Sequence, residues 1–352
     1  MARVVALASH LLQPGVQPAP APLSPAAEKF AQGQTKEWTV RHGSLAGVVP
    51  MGYAEPLSEA LVEAYLVRLG VPRPSQPNLE TLTALLAAHV DRICYENIDL
   101  KLGKPVCALD PASSAARVAL QRRGGYCFIL VDAFAALLSS LGYTVSLHTS
   151  ICEIVRPLQD EKWGAHVVAV VHLEDGAYIA DVGLGEGPRS PIRLATDDWS
   201  EDGFPYSLQE WSQGEWSFNN PANVTGILPG FTVDLSTSVS SMHEFSNFHQ
   251  YFWAHQDSGY VKGPIFMHRK TEGRGVLSII GCTLRRSHPE LPGKGYEVLA
   301  TAATREEWFA LVHEHFFLSL DELSEAERDQ LWAQLSADHD RWLAKQEARE
   351  AD

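Results

Sequence analysis

The sequence lacks the cysteine and histidine patterns of a metal site or a disulfide framework. It holds five cysteines, at Cys94, Cys107, Cys127, Cys152 and Cys282. The number is odd and no C-x-x-C motif occurs. The histidines His243, His249 and His255 form a loose series, and an HEH tripeptide follows at 313–315, but neither has the spacing of a known metal site. We therefore expect no metal, and unpaired thiols are typical of a reducing compartment.

Positive charge and long apolar runs are also scarce. The 28 Lys and Arg against 43 Asp and Glu give a net charge of −15, which disfavours nucleic acid and anionic membranes as partners. The most apolar stretch, residues 127–143, contains Asp132 and is shorter than a membrane span. The first fifteen residues match a signal peptide only weakly, because Ser9 and His10 interrupt their apolar part. We expect a soluble cytoplasmic protein, and the sequence indicates no oligomeric state.

A proline-rich stretch separates the beginning of the chain from the rest. Residues 11–36 contain PGVQPAPAPLSP, and this density of proline favours an extended chain. We therefore expect residues 1–50 to form a leader outside the catalytic core.

Helical patterns follow the leader. Apolar residues at helical spacing predict one helix with Ser58 as its N-cap and a second with Asn78 as its N-cap. A third helix is expected to close on Gly124 and Gly125, and the apolar segment that begins at the next cysteine predicts a fourth. Residues 51–143 are therefore predicted to form a helical bundle.

From residue 144 the pattern becomes typical of strands. The segment AHVVAVVHLEDGAYIADVGLG has two β-rich runs joined by Asp175-Gly176, a two-residue hairpin signal. We predict an antiparallel β-barrel over residues 144–260 and an α/β lid over 261–352 that ends in helices from Arg305. Helices, then strands, then a mixed region predict an α+β fold.

The segment RRGGYC places a thiol at the start of an apolar helix. Backbone N–H groups and a partial positive charge at a helix N-terminus favour a thiolate, and the same N–H groups could bind an oxyanion. Gly124 and Gly125 let the chain turn sharply before the helix. On these local features Cys127 is a candidate nucleophile or a buried apolar residue, whereas the apolar role is expected of the other cysteines.

A cysteine nucleophile needs a histidine base and an acceptor that orients the base. His166 stands at the start of an apolar strand, and Asp181 ends another strand before a glycine-rich loop. A turn-capping role is the alternative for Asp181. If Asp175-Gly176 is the hairpin turn, Asp181 lies opposite Val170 and about 13 Å along the strand from His166. A bulge, strong twist or another partner strand would then have to bring the two side chains together.

Three motifs in this order, RGGYC, AHVVAVV and YIADVGLG, resemble those of the arylamine N-acetyltransferases. They lie at residues 123–127, 165–171 and 178–185. RICYENIDL also resembles the P-F-E-N-L segment of that family, and the similarity extends over roughly residues 57–345. The resemblance implies a helical bundle, a β-barrel and an α/β lid.

The resemblance also implies a ping-pong transfer of an acetyl or other short acyl group. Acyl-CoA would be the co-substrate, no cofactor would be bound, and the acceptor would be a small amine such as an arylamine or hydrazine. By resemblance, Cys127 accepts the acyl group, His166 is the base and then the proton donor, and Asp181 orients His166. Glu96 and Arg123 match positions that the family pairs as structural support. The predicted substrate contacts are Tyr126, Phe128, Leu184 and Gly185, of which Leu184 matches a position bordering the acceptor pocket.

Departures from the family pattern leave two alternatives open. The family continues its motif as C-x-E/Q-x-N, whereas this chain has Ile129 and Val131, and CYEN lacks the proline of P-F-E-N. The first alternative is an amide synthase that takes its acyl group from a carrier-protein thioester. The second is an inactive homologue that binds small molecules.

Overall fold

The computed structural model describes residues 56–152, 164–212, 214–220, 230–236, 238–256, 258–262, 266–271, 275–291, 295–318 and 320–351. The predicted leader, residues 1–50, lies outside these ranges. The helices are α1 Glu59–Leu69, α2 Leu79–Arg92, α3 Ile98–Lys101, α4 Pro111–Ala119, α5 Cys127–Ser140, α6 Ser246–Ala254, α7 Gly259–Lys262, α8 Arg305–Phe316 and α9 Glu325–Ala351. The strands are β1 Tyr95–Glu96, β2 Thr144–Ile151, β3 His166–Leu173, β4 Gly176–Ile179, β5 Ile192–Arg193, β6 Asp197–Glu201, β7 Phe204–Ser212, β8 Glu215–Asn219, β9 Gly230–Asp234, β10 Phe266–Thr271, β11 Gly275–Ile280, β12 Thr283–Ser287 and β13 Tyr296–Thr301.

Helices α1, α2 and α5 begin where the sequence predicts, whereas the short helix α3 was not predicted. Helix α1 follows Ser58, and α2 follows Asn78, whose side chain accepts a hydrogen bond from the Thr81 N–H at 2.9 Å. The prediction for α4 is wrong at its C-terminal end, because this helix ends at Ala119 rather than at the two glycines. The loop that follows turns at Arg122, which adopts a left-handed φ of 54°.

Helix α5 is enclosed by the rest of the fold. Every residue from Cys127 to Leu138 is buried, because α4, β2 and β3 pack around it together with residues from α1, α2 and α6. A helix buried on all sides must be apolar on all sides, which accounts for its sequence. The carboxylate of Asp132 is accommodated here because it accepts a hydrogen bond from the Ser114 hydroxyl at 2.6 Å.

An eight-stranded antiparallel sheet follows, with the strand order β5-β4-β3-β2-β9-β8-β7-β6. It curls around an apolar cluster that includes Val168, Phe218 and Phe231. Strands β5 and β6 lie at its two edges, so the described strands form an open curled sheet, which is half of the predicted barrel. Residues 242–254 and 259–260, assigned to the barrel by the sequence pattern, form helical turns instead. Their aromatic side chains recur at helical spacing and pack on α5: Phe245, Phe248 and Phe252.

The hairpin between β3 and β4 has a different register from the predicted one. Leu173 pairs with Gly176, so that Glu174 and Asp175 form the turn. Val170 then pairs with Ile179, and continuing this register places Asp181 level with Val168. Asp181 is therefore about 7 Å along the strand from His166 rather than 13 Å. The prediction of the turn was wrong by one residue, and this error accounts for the apparent gap in the site.

A second antiparallel sheet occupies the C-terminal region, with the order β1-β10-β11-β12-β13. Its edge strand β1 comes from the helical region, where Tyr95 and Glu96 pair with His268 and Met267. Helices α8 and α9 contribute to the apolar cluster beside this sheet, in which the indole N–H of Trp308 donates to a backbone carbonyl at 3.0 Å. No helix in the described parts of the chain is long and apolar enough to cross a membrane.

We expect Asn78→Ala to lower the free energy of unfolding by about 1 kcal/mol, because the Thr81 N–H loses its acceptor at the start of α2. Ser58→Ala is the matched control, since Ser58 stands at the N-cap of α1 but its side chain makes no capping hydrogen bond. Its expected effect is below about 0.5 kcal/mol. Urea unfolding of both variants measures the difference, and equal losses of stability would contradict the assignment of the cap.

Candidate active site

The imidazole of His166 and the carboxylate of Asp181 meet where β3 begins and β4 has ended. Nε2 of His166 lies 3.0 Å from Oδ2 of Asp181. The other carboxylate oxygen, Oδ1, accepts a hydrogen bond from the Gly183 N–H at 2.7 Å. Both oxygens thus have a partner, as a buried carboxylate requires. Asp181 caps the turn and orients the histidine at the same time, so the two predicted roles are not exclusive.

Cys127 reaches the same place from the N-terminus of α5. A Cβ atom added to Gly183 would lie 3.0 Å from Cβ of Cys127, from Cε1 of His166 and from Cγ2 of Val131. The missing side chain at Gly183 therefore lets the three elements approach one another. Nδ1 of His166 is buried and makes no hydrogen bond to nitrogen or oxygen within the described residues. This ring nitrogen points away from Asp181 and is the one available to the sulfur.

Burial and neighbouring charges oppose each other at the thiol and at the imidazole. Burial raises the pKa of Cys127, and the hydrogen bond and charge of His166 only partly reverse this effect. Burial lowers the pKa of His166, but the charges of Cys152 and Asp181 and the hydrogen bonds to Asp181 and Cys127 raise it well above its ordinary value. The thiolate is therefore stable only when the proton moves to His166, and the two groups titrate as a pair. The helix N-terminus that the sequence singles out is not sufficient by itself.

Four charged side chains are buried beside the loop that leads to Cys127. They are Glu96, Asp99, Arg117 and Arg123. The predicted pairing of Glu96 with Arg123 is present, with Nη2 2.9 Å from Oε1. Arg117 lies 2.7 Å from both Glu96 and Asp99, and its Nε donates to the Gly124 carbonyl at 2.7 Å. Because two arginines face two carboxylates, the cluster holds the loop without an uncompensated buried charge.

Tyr126 and Phe128, the neighbours of Cys127, are fully buried. The hydroxyl of Tyr126 is hydrogen-bonded to Nδ1 of His249, and burial lowers the pKa of that histidine to about 4. Phe128 packs on Phe245 and Phe252, with ring centroids 4.9 and 5.6 Å away. Both side chains thus belong to the aromatic core between α5 and α6, and their contact with a substrate stays a prediction.

The loop after Asp181 supplies the remaining predicted substrate contacts. Leu184 is buried in the apolar cluster of the curled sheet. Gly185 has a left-handed φ of 72°, which a side chain would strain. The contacts of Leu184 and Gly185 with a substrate stay predictions.

Ile129 and Val131 replace the polar residues of the family pattern and are fully buried. Ile129 packs on Gly125, where an added Cβ would lie 2.9 Å from its own Cβ. Val131 packs on Gly183 in the same way. The two apolar side chains fill the space between α5 and the glycine loops, so the departure leaves no unpaired polar group in the core.

Three side chains that the sequence analysis did not assign to the site contribute to it: Asp99, Arg117 and His249. Cys152, interpreted as an apolar residue, also lies near enough to influence the pKa values of Cys127 and His166. Asp99 could have been identified from the sequence, because it lies three residues after Glu96 in an apolar segment. Two buried carboxylates so close together require positively charged partners. Nothing local identifies His249, because its partner is more than a hundred residues away.

This arrangement suits nucleophilic substitution at an acyl carbon. It places a thiol beside an imidazole that a carboxylate orients, which is the geometry of cysteine and serine acyl transfer. The five cysteines form no disulfide bond with one another. Within the described residues, no group of three His, Cys, Asp or Glu side chains could hold a metal ion.

Comparison with known proteins extends this assignment. A family model described as N-acetyltransferase matches residues 78–325. The arylamine N-acetyltransferase of Mycolicibacterium smegmatis is 37% identical over 135 residues, which are 37% of this chain and 49% of that protein. The alignment thus spans about half the length of that relative. The arylamine N-acetyltransferase of Escherichia coli (strain K12) is 29% identical over 224 residues, 62% of this chain and 76% of that one.

The fold agrees with these relatives. The structure of the Mycobacterium marinum arylamine N-acetyltransferase in complex with CoA superposes with a TM-score of 0.64 at 22% identity, covering 78% of this chain and 98% of that one. The shared fold is α+β and includes the curled antiparallel sheet. The segment matched by the family model contains Cys127, His166 and Asp181. The chain therefore belongs to the N-acetyltransferase family, and the resemblance to the arylamine N-acetyltransferases that its motifs indicated is confirmed.

Proposed function

We propose that this protein transfers an acetyl group from acetyl-CoA to an arylamine by a ping-pong reaction through Cys127. The observation that carries the proposal is the position of His166, whose Nε2 contacts Asp181 at 3.0 Å while its buried Nδ1 is left for the thiol. The family supports acetyl transfer to arylamines. The M. marinum relative of the same fold binds CoA.

In the first half-reaction the thiolate of Cys127 attacks the carbonyl carbon of acetyl-CoA. The C–S bond to CoA breaks as the new thioester forms, and the imidazolium of His166 gives its proton to the departing CoA thiolate. Helix geometry leaves the N–H groups of Cys127 and Phe128 without an intrahelical acceptor. These donors are suited to stabilise the oxyanion of the tetrahedral intermediate.

In the second half-reaction the amine attacks the thioester carbonyl. Neutral His166 removes the proton that the nitrogen must lose, the Cys127 thiolate leaves, and the imidazolium–thiolate pair is restored. Asp181 keeps its contact with the imidazole throughout and stabilises the charged ring. Because the site is buried, each charge is held by a partner rather than by water.

Cys127→Ala tests the nucleophile directly. We expect intact-mass measurement to show one acetyl group on the wild type after incubation with acetyl-CoA without an amine, and none on Cys127→Ala. Cys282→Ser is the matched control, because Cys282 is buried in the apolar cluster of α8 and α9; it should acquire the acetyl group as the wild type does. Acetylation of Cys127→Ala would refute the proposal.

A donor panel in the same assay addresses the alternatives. Acylation by a carrier-protein thioester but by no CoA ester would identify an amide synthase. A wild-type protein that stays unmodified with every donor would identify a binding homologue. Adding an arylamine to the acetylated protein should return it to its original mass, since the amine removes the acetyl group.

Asp181→Asn tests the orienting carboxylate. An amide cannot stabilise the imidazolium, so the pKa of His166 falls and the thiolate loses its charged partner. We expect the acetylation rate to drop by about 10³–10⁴ and the midpoint of the pH profile of Cys127 alkylation by iodoacetamide to move upward. Asp175→Asn is the control, as Asp175 lies in the exposed turn of the same hairpin. A midpoint that stays in place or moves downward would rule out this role.

Gly183→Ala tests the approach of the three elements. Its Cβ would press on Cys127 and His166 at 3.0 Å, so one of them must shift by a few tenths of an ångström, and we expect kcat/KM to fall about tenfold. Gly187→Ala in the same loop is the control, because its Cβ would meet Leu184 at an ordinary 3.7 Å. Equal activities of the two variants would show that the contact at Gly183 does not control the reaction.

A further inference from the structure

The C-terminal region is attached to the helical region by three ion pairs of the same polarity. Its acidic side chains Glu322, Glu327 and Asp338 contact Arg123, Lys104 and Lys101 respectively. The apolar residues beside Glu322, Leu320 and Leu323, are buried in one cluster with Cys94 and Ile98. The segment before α9 therefore has a fixed place beside the strand and loop that precede the nucleophile.

Of the three cations, Arg123 and Lys101 are buried and Lys104 is 37% exposed. The contact of Glu322 differs because its guanidinium also faces the buried carboxylates beside the loop that leads to Cys127. The side chain of Arg123 is 2% exposed, whereas that of Glu322 is 47% exposed. Nη2 of Arg123 faces Glu96 at 2.9 Å and Asp99 at 3.4 Å. Within the described residues Nη1 contacts Glu322, and Nε makes no hydrogen bond. Removing Glu322 would therefore leave Nη1, as well as Nε, of a buried guanidinium without an acceptor among the described residues.

The same cluster fixes the backbone that leads to the nucleophile. Arg117, which shares Glu96 and Asp99 with Arg123, donates to the Gly124 carbonyl at 2.7 Å. The backbone N–H of Glu96 donates to the Gly125 carbonyl at 3.0 Å. There is no free space for adjustment, since a Cβ on Gly124 would lie 2.0 Å from a backbone oxygen. A displacement of Arg123 is thus transmitted through two peptide groups toward Tyr126 and the thiol.

We propose that Glu322 is a positioning residue for Cys127: it holds the guanidinium of Arg123, and through Arg123 it fixes the loop that sets the thiol against His166. Glu322 does not touch the reacting atoms and acts only through the buried cluster. The catalytic consequence rests on the proposed function, but the position of the thiol does not.

Iodoacetamide measures the position of the thiol without any acyl donor. When the loop loosens, Cys127 loses the contact with His166 that lowers its pKa, while burial continues to raise it. We expect iodoacetamide to alkylate Cys127 about tenfold more slowly in Glu322→Ala than in the wild type at neutral pH. The midpoint of the pH profile of this alkylation should move upward. Glu322→Gln keeps an acceptor for Nη1 without the charge and should fall between Glu322→Ala and the wild type.

Glu327→Gln is the matched control. This substitution removes the negative charge that pairs with Lys104 between the same two regions. It keeps a side-chain oxygen that can accept a hydrogen bond from the Ser324 N–H at the start of α9. We expect its pH profile to coincide with that of the wild type even if its melting temperature falls. The steady-state kinetics should agree with the alkylation profiles. We expect kcat of acetyl transfer to be about tenfold lower in Glu322→Ala and the KM for the amine to be unchanged.

Two results would overturn the proposal. One is a Glu322→Ala profile with the wild-type midpoint together with a lower melting temperature, because this would show a purely structural ion pair. The other is an upward shift of equal size in Glu327→Gln, because this would show a general effect of loosening the C-terminal region. A shifted alkylation midpoint in a protein that no donor acylates would refute the proposed function and leave the positioning role of Glu322 in place.

Discussion

The hydrogen-bonded contact between His166 and Asp181 is the constraint on which the rest of the site depends. An imidazole inside an apolar core is ordinarily neutral, and a thiol there is ordinarily protonated. The carboxylate reverses the first of these tendencies, and the charged ring then opposes the second. The protein can therefore enclose the thiol of Cys127 and still keep a group beside it that opposes the effect of burial on its pKa. The glycines around the site follow from the same requirement, because three backbone elements must converge on one imidazole.

The sequence was sufficient to predict the class of fold and the three residues that converge. Strong local signals account for this: a cap such as Asn78, strands of alternating or continuous apolar residues, and a thiol behind two glycines. The register of the hairpin was mispredicted, because Asp175-Gly176 is a good turn signal and only the pairing of Leu173 with Gly176 decides between the two turns. One residue of difference in the turn moved Asp181 by two positions relative to His166.

The side chains that the sequence analysis did not assign to the site share one property, which is that their partners lie on other secondary-structure elements. Arg117 and Asp99 are meaningful only once Arg123 and Glu96 have been brought beside them. The helical character of residues 246–254 was likewise missed, since Phe248 and Phe252 resemble strand residues until α5 is present to receive them. The positions of buried charges and aromatic side chains depend on tertiary contacts. A single sequence contains both residues of each contact but does not show that they are paired.

Strand β1 has a consequence for how substrates can enter. Tyr95 and Glu96 belong to the C-terminal sheet through their pairing with β10, and Glu96 also bonds to the backbone beside the nucleophile. A hinge motion of the C-terminal sheet away from the helices would have to break the main-chain hydrogen bonds between β1 and β10, or carry β1 along and break the hydrogen bond of Glu96 to Gly125. The region predicted to be a lid is thus joined by main-chain hydrogen bonds to the segment that leads to Cys127. Local loop displacements, rather than rigid-body opening of that sheet, are the motions this topology permits at low cost.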